Sequence, residues 1–91
     1  MTHMTEHARV RIQQRGIRMR TLESLLDHGA VAYDHRGATI VYFDKKAKSR
    51  LQKTGGRQAY RAMEKQLNAY AAVAQDGVVV TVGRRDKRIP R

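Results

Sequence analysis

Ninety-one residues carry 19 Lys and Arg against 8 Asp and Glu, a formal net charge of +11, with no Cys, no Trp and one Phe. A chain of that length has interior enough for one core and hence one domain; without cysteine it forms no disulfide and does no thiolate chemistry. No apolar run approaches the roughly 20 residues that cross a bilayer, and Met1 to Glu6 shows no basic-then-apolar leader, so the expectation is a cytoplasmic protein that does not engage membranes.

Thr5 reads as a helix N-cap, with Glu6 in the first turn where the helix dipole favours an acid. That helix runs to about Arg15 and stops at Gly16, with Met4, Ala8 and Ile12 recurring every four residues on its core face. Thr21 is expected to cap a second, short helix, in which Leu22, Leu25 and Leu26 give the i, i+3, i+4 stripe and Gly29 the end. From Ala30 the period changes to two. Val31 and Tyr33 alternate with alanines, His35-Arg36-Gly37 makes a tight turn, and Ala38 to Phe43 (ATIVYF) is a strand by its β-branched and aromatic content. Tyr33 and Tyr42 are expected to pack together across this hairpin.

Residues 45–57 form a basic connection, with Lys45, Lys46, Lys48, Arg50 and Lys53 ahead of Gly55-Gly56 and no acid among them. It is expected to be a mobile loop with a turn of helix around Ala47 to Leu51, followed by a helix from Arg57 to Leu67 that turns Tyr60, Met63 and Leu67 inward. Tyr70 to Ala74 and Val78 to Gly83 (VVVTVG) form a second hairpin around Gln75-Asp76-Gly77, Asp-Gly being a strong turn signal. VVVTVG, the most β-prone stretch of the chain, is expected at the centre of the sheet, with Val78, Val80 and Val82 inward. Together these elements make one α+β domain over residues 1–91: two N-terminal helices, a four-stranded antiparallel sheet made of two hairpins, a basic loop or helix between the hairpins, and helices packed on one face. So small a core leaves room for stabilisation by a homodimer or a bound partner.

The charge is polarised. Residues 1–44 hold six Arg and five acids, whereas residues 45–91 hold thirteen Lys and Arg and three acids. The tail, residues 84–91, is five-eighths basic. A one-sided excess of this kind points to a polyanion bound through counterion release, rather than to cations spread for solubility. The binding surface is read as Arg15, Lys45, Lys46, Lys48, Arg50, Lys53, Arg84, Lys87 and Arg88. Few aromatic rings are interleaved with these cations, so sequence-specific single-strand recognition is not expected.

Metal and nucleotide-loop chemistry find no support. His3, His7, His28 and His35 fall at no metal-ligand spacing, and GGRQAY fits neither a Walker nor a dinucleotide-binding loop. No cofactor and no metal are expected. The first helix offers a different constellation, because His7, Arg11 and Arg15 at i, i+4, i+8 form one stripe. Guanidiniums beside an imidazole disfavour its protonated form and keep it available as a general base. Arginine forks suit phosphate oxygens. On the last strand Thr81 and Gly83 share a face that leads to Arg84 and Arg85, a phosphate-holding edge. The plainer alternatives are a solvated helix face and an ordinary strand with a charged tail.

The opening HARVRIQQRGI, the Leu-rich helix ending at Gly29 and the closing VVVTVGRRDKRIPR together resemble a family of small bacterial domains of unknown function. By fold that family is grouped with the RelE- and BrnT-type toxins and the wider barnase/EndoU/colicin-like ribonucleases. The resemblance covers nearly the whole chain and is weakest over residues 45–67. It implies an N-terminal helical part followed by a four-stranded antiparallel sheet, and metal-independent RNA cleavage by the toxin of a toxin–antitoxin pair. His7 and Arg11 match the family's His-x-x-x-Arg opening, and Thr81, Arg84 and Arg85 its last strand and exit, which makes His7, Arg11, Thr81 and Arg85 the candidate catalytic set. Nothing matches the C-terminal catalytic tyrosine or arginine of RelE itself. Two readings follow: an endoribonuclease toxin neutralised by an acidic antitoxin-like protein, or a non-catalytic module that holds RNA or DNA, RNA being favoured. A third is a protein that binds an acidic protein partner.

Overall fold

A computed structural model describes residues 3–33 and 37–85. The expected turn residues His35 and Arg36, and Lys87 and Arg88 of the tail, lie outside the described residues. Over the described residues the architecture is α+β, three α-helices and one four-stranded antiparallel sheet.

Helix α1 (Glu6–Gln14) begins as its sequence predicts: the Thr5 hydroxyl accepts from the Ala8 backbone N–H at 3.1 Å, and Ala8 and Ile12 are buried. Helix α2 (Met19–His28) starts earlier than expected. Arg18 holds the cap position without a side-chain hydrogen bond, and Thr21 is not a cap but is fully buried within the helix. The missing cap is supplied from far along the chain by Gln66. Its Oε1 accepts from the Arg18 N–H at 3.1 Å and from the Thr21 hydroxyl at 2.6 Å, while its Nε2 donates to the Gly16 carbonyl at 2.8 Å. One buried amide thus satisfies the otherwise orphaned groups of the α1–α2 corner.

The strands are β1 (Ala30–Tyr33), β2 (Thr39–Tyr42), β3 (Ala69–Val73) and β4 (Val79–Arg84), in spatial order β1-β2-β3-β4 with every pair antiparallel. Val41, Phe43, Ala69, Ala71, Val79 and Val82 point to one face and join Ala8, Leu22, Leu25, Ala47 and Leu51 in a single core. Strand β4 therefore stands at the end of the sheet order and not at its centre. Its buried valines are Val79 and Val82, because a register shift opposite Ala72/Val73 pairs Thr81 with Ala72 and Val79 with Val73. Val80 is the extra residue, and one extra residue reverses the in–out phase of a strand.

The basic connection is helical. Helix α3 runs Lys45–Met63, capped by the Asp44 carboxylate, which accepts from the Ala47 N–H at 2.7 Å. Because Tyr42 pairs with Tyr70, the chain between β2 and β3 leaves and returns at the same end of the sheet. A straight helix of that length would carry it about 28 Å away. Gly56, at φ +78° and ψ 174°, breaks the helix midway and lets the second half fold back; that backbone conformation strains any residue with a Cβ. The return ends in a 3₁₀ turn, Glu64–Gln66, with Met63 and Leu67 buried and Tyr60 partly buried against the core.

Candidate functional site

Three independent chain segments deliver cations to one end of the sheet. At that end β2 gives way to α3, the 3₁₀ turn gives way to β3, and β4 exits through Arg84 and Arg85. Strand β4 brings Arg84, exposed, and Arg85, half-buried. The first turn of α3 brings Lys45 and Lys46, both exposed, and Lys48 follows half-buried. Arg50 and Lys53 are exposed farther along the same helix, up to about 12 Å from Lys45 along its axis. The third contribution comes through Gln66, which sits three residues before Ala69 and ties Gly16 and Arg18 to this end. Arg15 and Arg18, both exposed, come with them.

Arg85 is the pivot. Its backbone N–H donates to the Asn68 carbonyl at 2.9 Å, its guanidinium Nη2 donates to the Phe43 carbonyl at 2.9 Å, and the guanidinium carbon lies 5.0 Å from the centre of the Tyr42 ring. The cation thereby locks the end of β4 onto the β2–α3 junction, and a cation over a tyrosine face adds about 0.5–1 kcal/mol at a partly exposed site. Next to it, Asn68 Oδ1 is buried with no hydrogen-bond partner among the described residues.

Arg85 shares its face of the sheet with a row of buried and half-buried groups, on the side that carries no helix among the described residues. Tyr42 pairs across the strands with Tyr70, and Tyr70 with Gly83. A Cβ on Gly83 would stand 2.8 Å from the Tyr70 hydroxyl oxygen and 2.9 Å from two of its ring carbons, so glycine is what lets the Tyr70 ring lie down on β4. Ile40, Ala72 and Thr81 continue the same face. Tyr42 thus packs beneath Arg85 and beside Tyr70. The expected partner Tyr33 is instead 85% exposed on the opposite face.

His7, Arg11, Thr81 and Arg85 do not assemble into one constellation. Strand β4 and α1 run side by side in the same direction. The Thr5 N–H donates to the Val79 carbonyl and the Val79 N–H to the His3 carbonyl at the start of β4, while Gly16 is bonded to Gln66 near its end. His7, exposed, stands near the start, and Arg15 lies about 12 Å farther along the helix axis, at the Arg85 end. Arg11, half-buried, lies between them, and Thr81 is half-buried midway along β4 on the open face. No hydrogen bond joins any two of the four.

Arg18, Asn68 and Tyr70 went unnoticed in the sequence. Only the tie through Gln66 and the cross-strand register reveal that they share this end. Among the described residues, no helix is long and apolar enough to cross a membrane. No family model, curated protein or solved structure matches the chain.

Proposed function

We propose that this protein binds single-stranded nucleic acid, RNA in preference to DNA, on the cationic end of the sheet and the tyrosine row beside it. The observation that carries the reading is the Arg85–Tyr42 stack, set between the exposed β4 exit and the lysine-rich start of α3. Helix α3 holds seven Lys and Arg and no acid, and its lysines begin at the N-terminal turn. Cations there oppose the helix dipole by about 0.3–1 kcal/mol each, so the cluster works against the stability of its own helix and is explained by an anionic partner. Phosphates meet Lys45, Lys46, Lys48, Arg84 and Arg15, while the Arg85 guanidinium plane over Tyr42 and the Tyr70 ring offer flat surface on which a splayed base stacks.

RNA is favoured because of the resemblance to RelE- and BrnT-type toxins, and a cytoplasmic location goes with that preference. Endonucleolytic cleavage is the second reading, resting on the same resemblance. In that case His7 acts from the far end of β4, on a strand laid along α1, and an acidic antitoxin-like protein covers the cationic end.

Binding to a labelled single-stranded RNA tests the proposal. The logarithm of affinity should fall linearly with the logarithm of salt, by about 0.7 per phosphate neutralised. The Lys45→Ala, Lys46→Ala, Arg84→Ala triple variant should flatten that slope by about 2. A slope the triple variant leaves unchanged sinks the placement of the surface, and tighter binding to DNA of the same sequence sinks the RNA preference. Incubation of RNA with the protein in EDTA, beside His7→Ala, decides the second reading: intact RNA with both proteins removes it.

A further inference from the structure

The opposite edge of the sheet is unlike the rest of the surface. Strand β1 pairs on one side with β2 and, among the described residues, has no strand on its other side. The helical layer stops short of it. Val31 and Tyr33 lie on the core side of the sheet, in the same rows as buried Val41, Ala71 and Val82 and as buried Val79, yet they are 54% and 85% exposed. The strand, AVAY, has no charge and no proline, so its shortness is the one protection against pairing that its own residues carry.

We infer that β1 pairs antiparallel with β1 of a second copy of this chain, about a two-fold axis at Ala32, to give a continuous eight-stranded sheet. The register follows from facing. Residues directly opposite in an antiparallel pair share a face, so a symmetric pairing must centre on a residue. Centring on Ala32 sets Val31 opposite Tyr33 of the second copy and Tyr33 opposite its Val31. Aromatic and β-branched residues form favourable cross-strand pairs, and here the two-fold makes both at once.

Charge leaves this edge open to a second copy. Two chains of +11 repel wherever Lys and Arg are exposed, but β1 is neutral and lies three strand spacings, about 14 Å, from β4 with Arg84 and Arg85. A copy docked at β1 keeps the two cationic ends apart. Four residues per strand bury far less than the roughly 1,200 Å² of a stable interface, so the dimer is weak and forms as concentration rises. Because its copies repel, salt strengthens it, the opposite of the effect of salt on polyanion binding. The dimer does not depend on the nucleic-acid reading. If both hold, two tyrosine rows share one open face, with the Tyr70 residues five strand spacings, about 24 Å, apart across the sheet.

The test uses the full chain freed of nucleic acid. Sedimentation equilibrium should give a mass that climbs from 10.4 kDa toward twice that value with concentration, more steeply in high salt. Val31→Lys with Tyr33→Lys should hold the mass at one copy; both side chains are largely exposed, so an unchanged circular dichroism spectrum and melting point are expected. Register is read separately, in a chain with no native cysteine. Ala32→Cys puts two thiols directly opposite, within disulfide reach, and should cross-link on mild oxidation much faster than Val31→Cys. A single-copy mass at the highest concentration in high salt overturns the inference. So does a dimer that survives the double lysine variant, or cross-linking no faster at position 32 than at 31.

Discussion

Strands β4 and β1 bound the same sheet and are finished in opposite ways. Along β4 the N-terminal segment lies down as a further short ladder, with a parallel bridge between Met4 and Val79 and the Thr5 hydroxyl donating to the Val80 carbonyl at 3.1 Å. Helix α1 covers its core face, and Arg84 and Arg85 close its end. Along β1, among the described residues, there is neither a further ladder nor a charge. An edge that is paired and charged is protected from other strands and free to meet phosphates, whereas a neutral, bare edge is suited to another strand. Among the described residues, therefore, the charged, paired edge and the bare edge lie on opposite sides of the sheet.

That contrast can be broken by substitution, and urea denaturation monitored by circular dichroism reads the energies. Val79→Ala, which empties a fully buried position on β4, should cost about 2 kcal/mol. Gly83→Ala comes next. Its Cβ forces the Tyr70 ring off β4, and such overpacking costs about 1–3 kcal/mol; the displaced ring should also weaken RNA binding at constant salt slope, since no phosphate contact is lost. Thr5→Ala removes the α1 cap and the bond to Val80, for about 1 kcal/mol. Val31→Ala, on the bare edge, should change monomer stability by no more than about 0.5 kcal/mol. A Val31→Ala loss equal to that of Val79→Ala would mean that β1 is covered after all, and the contrast between the edges would fall.

Local signals in the sequence were reliable where the cause is local. The Thr5 cap, the Ala8/Ile12 and Leu22/Leu25 stripes and the Asp76-Gly77 turn each depend on residues within a few positions of one another. All appear as read, with Gly77 at φ +87°. Errors arose where a distant residue decides. Thr21 has the chemistry of a cap, but Gln66, 45 residues away, reaches it and draws it inside the helix. The valines of VVVTVG have one alternation in sequence and another in space, because the shift opposite Ala72/Val73 is a property of the β3–β4 pair. Lys45 to Lys53 suggested a loop by charge and by the following glycines. Asp44, an N-cap residue directly before the run, was the overlooked sign that a helix begins there.

The candidate site divides along the same line. The sequence by itself established an α+β order of elements, an excess of positive charge and the concentration of that charge in the second half, because periodicity and charge along the chain are local properties that need no coordinates. Which cations meet was decided by the tertiary structure: the fold-back at Gly56 returns the chain to the end where α3 began, and Gln66 brings Arg15 and Arg18 to it. The same packing set His7 at the other end of β4 from Arg85. Helical spacing fixes neighbours along α1, but only the direction in which α1 lies on the sheet determines which residues of β4 they face.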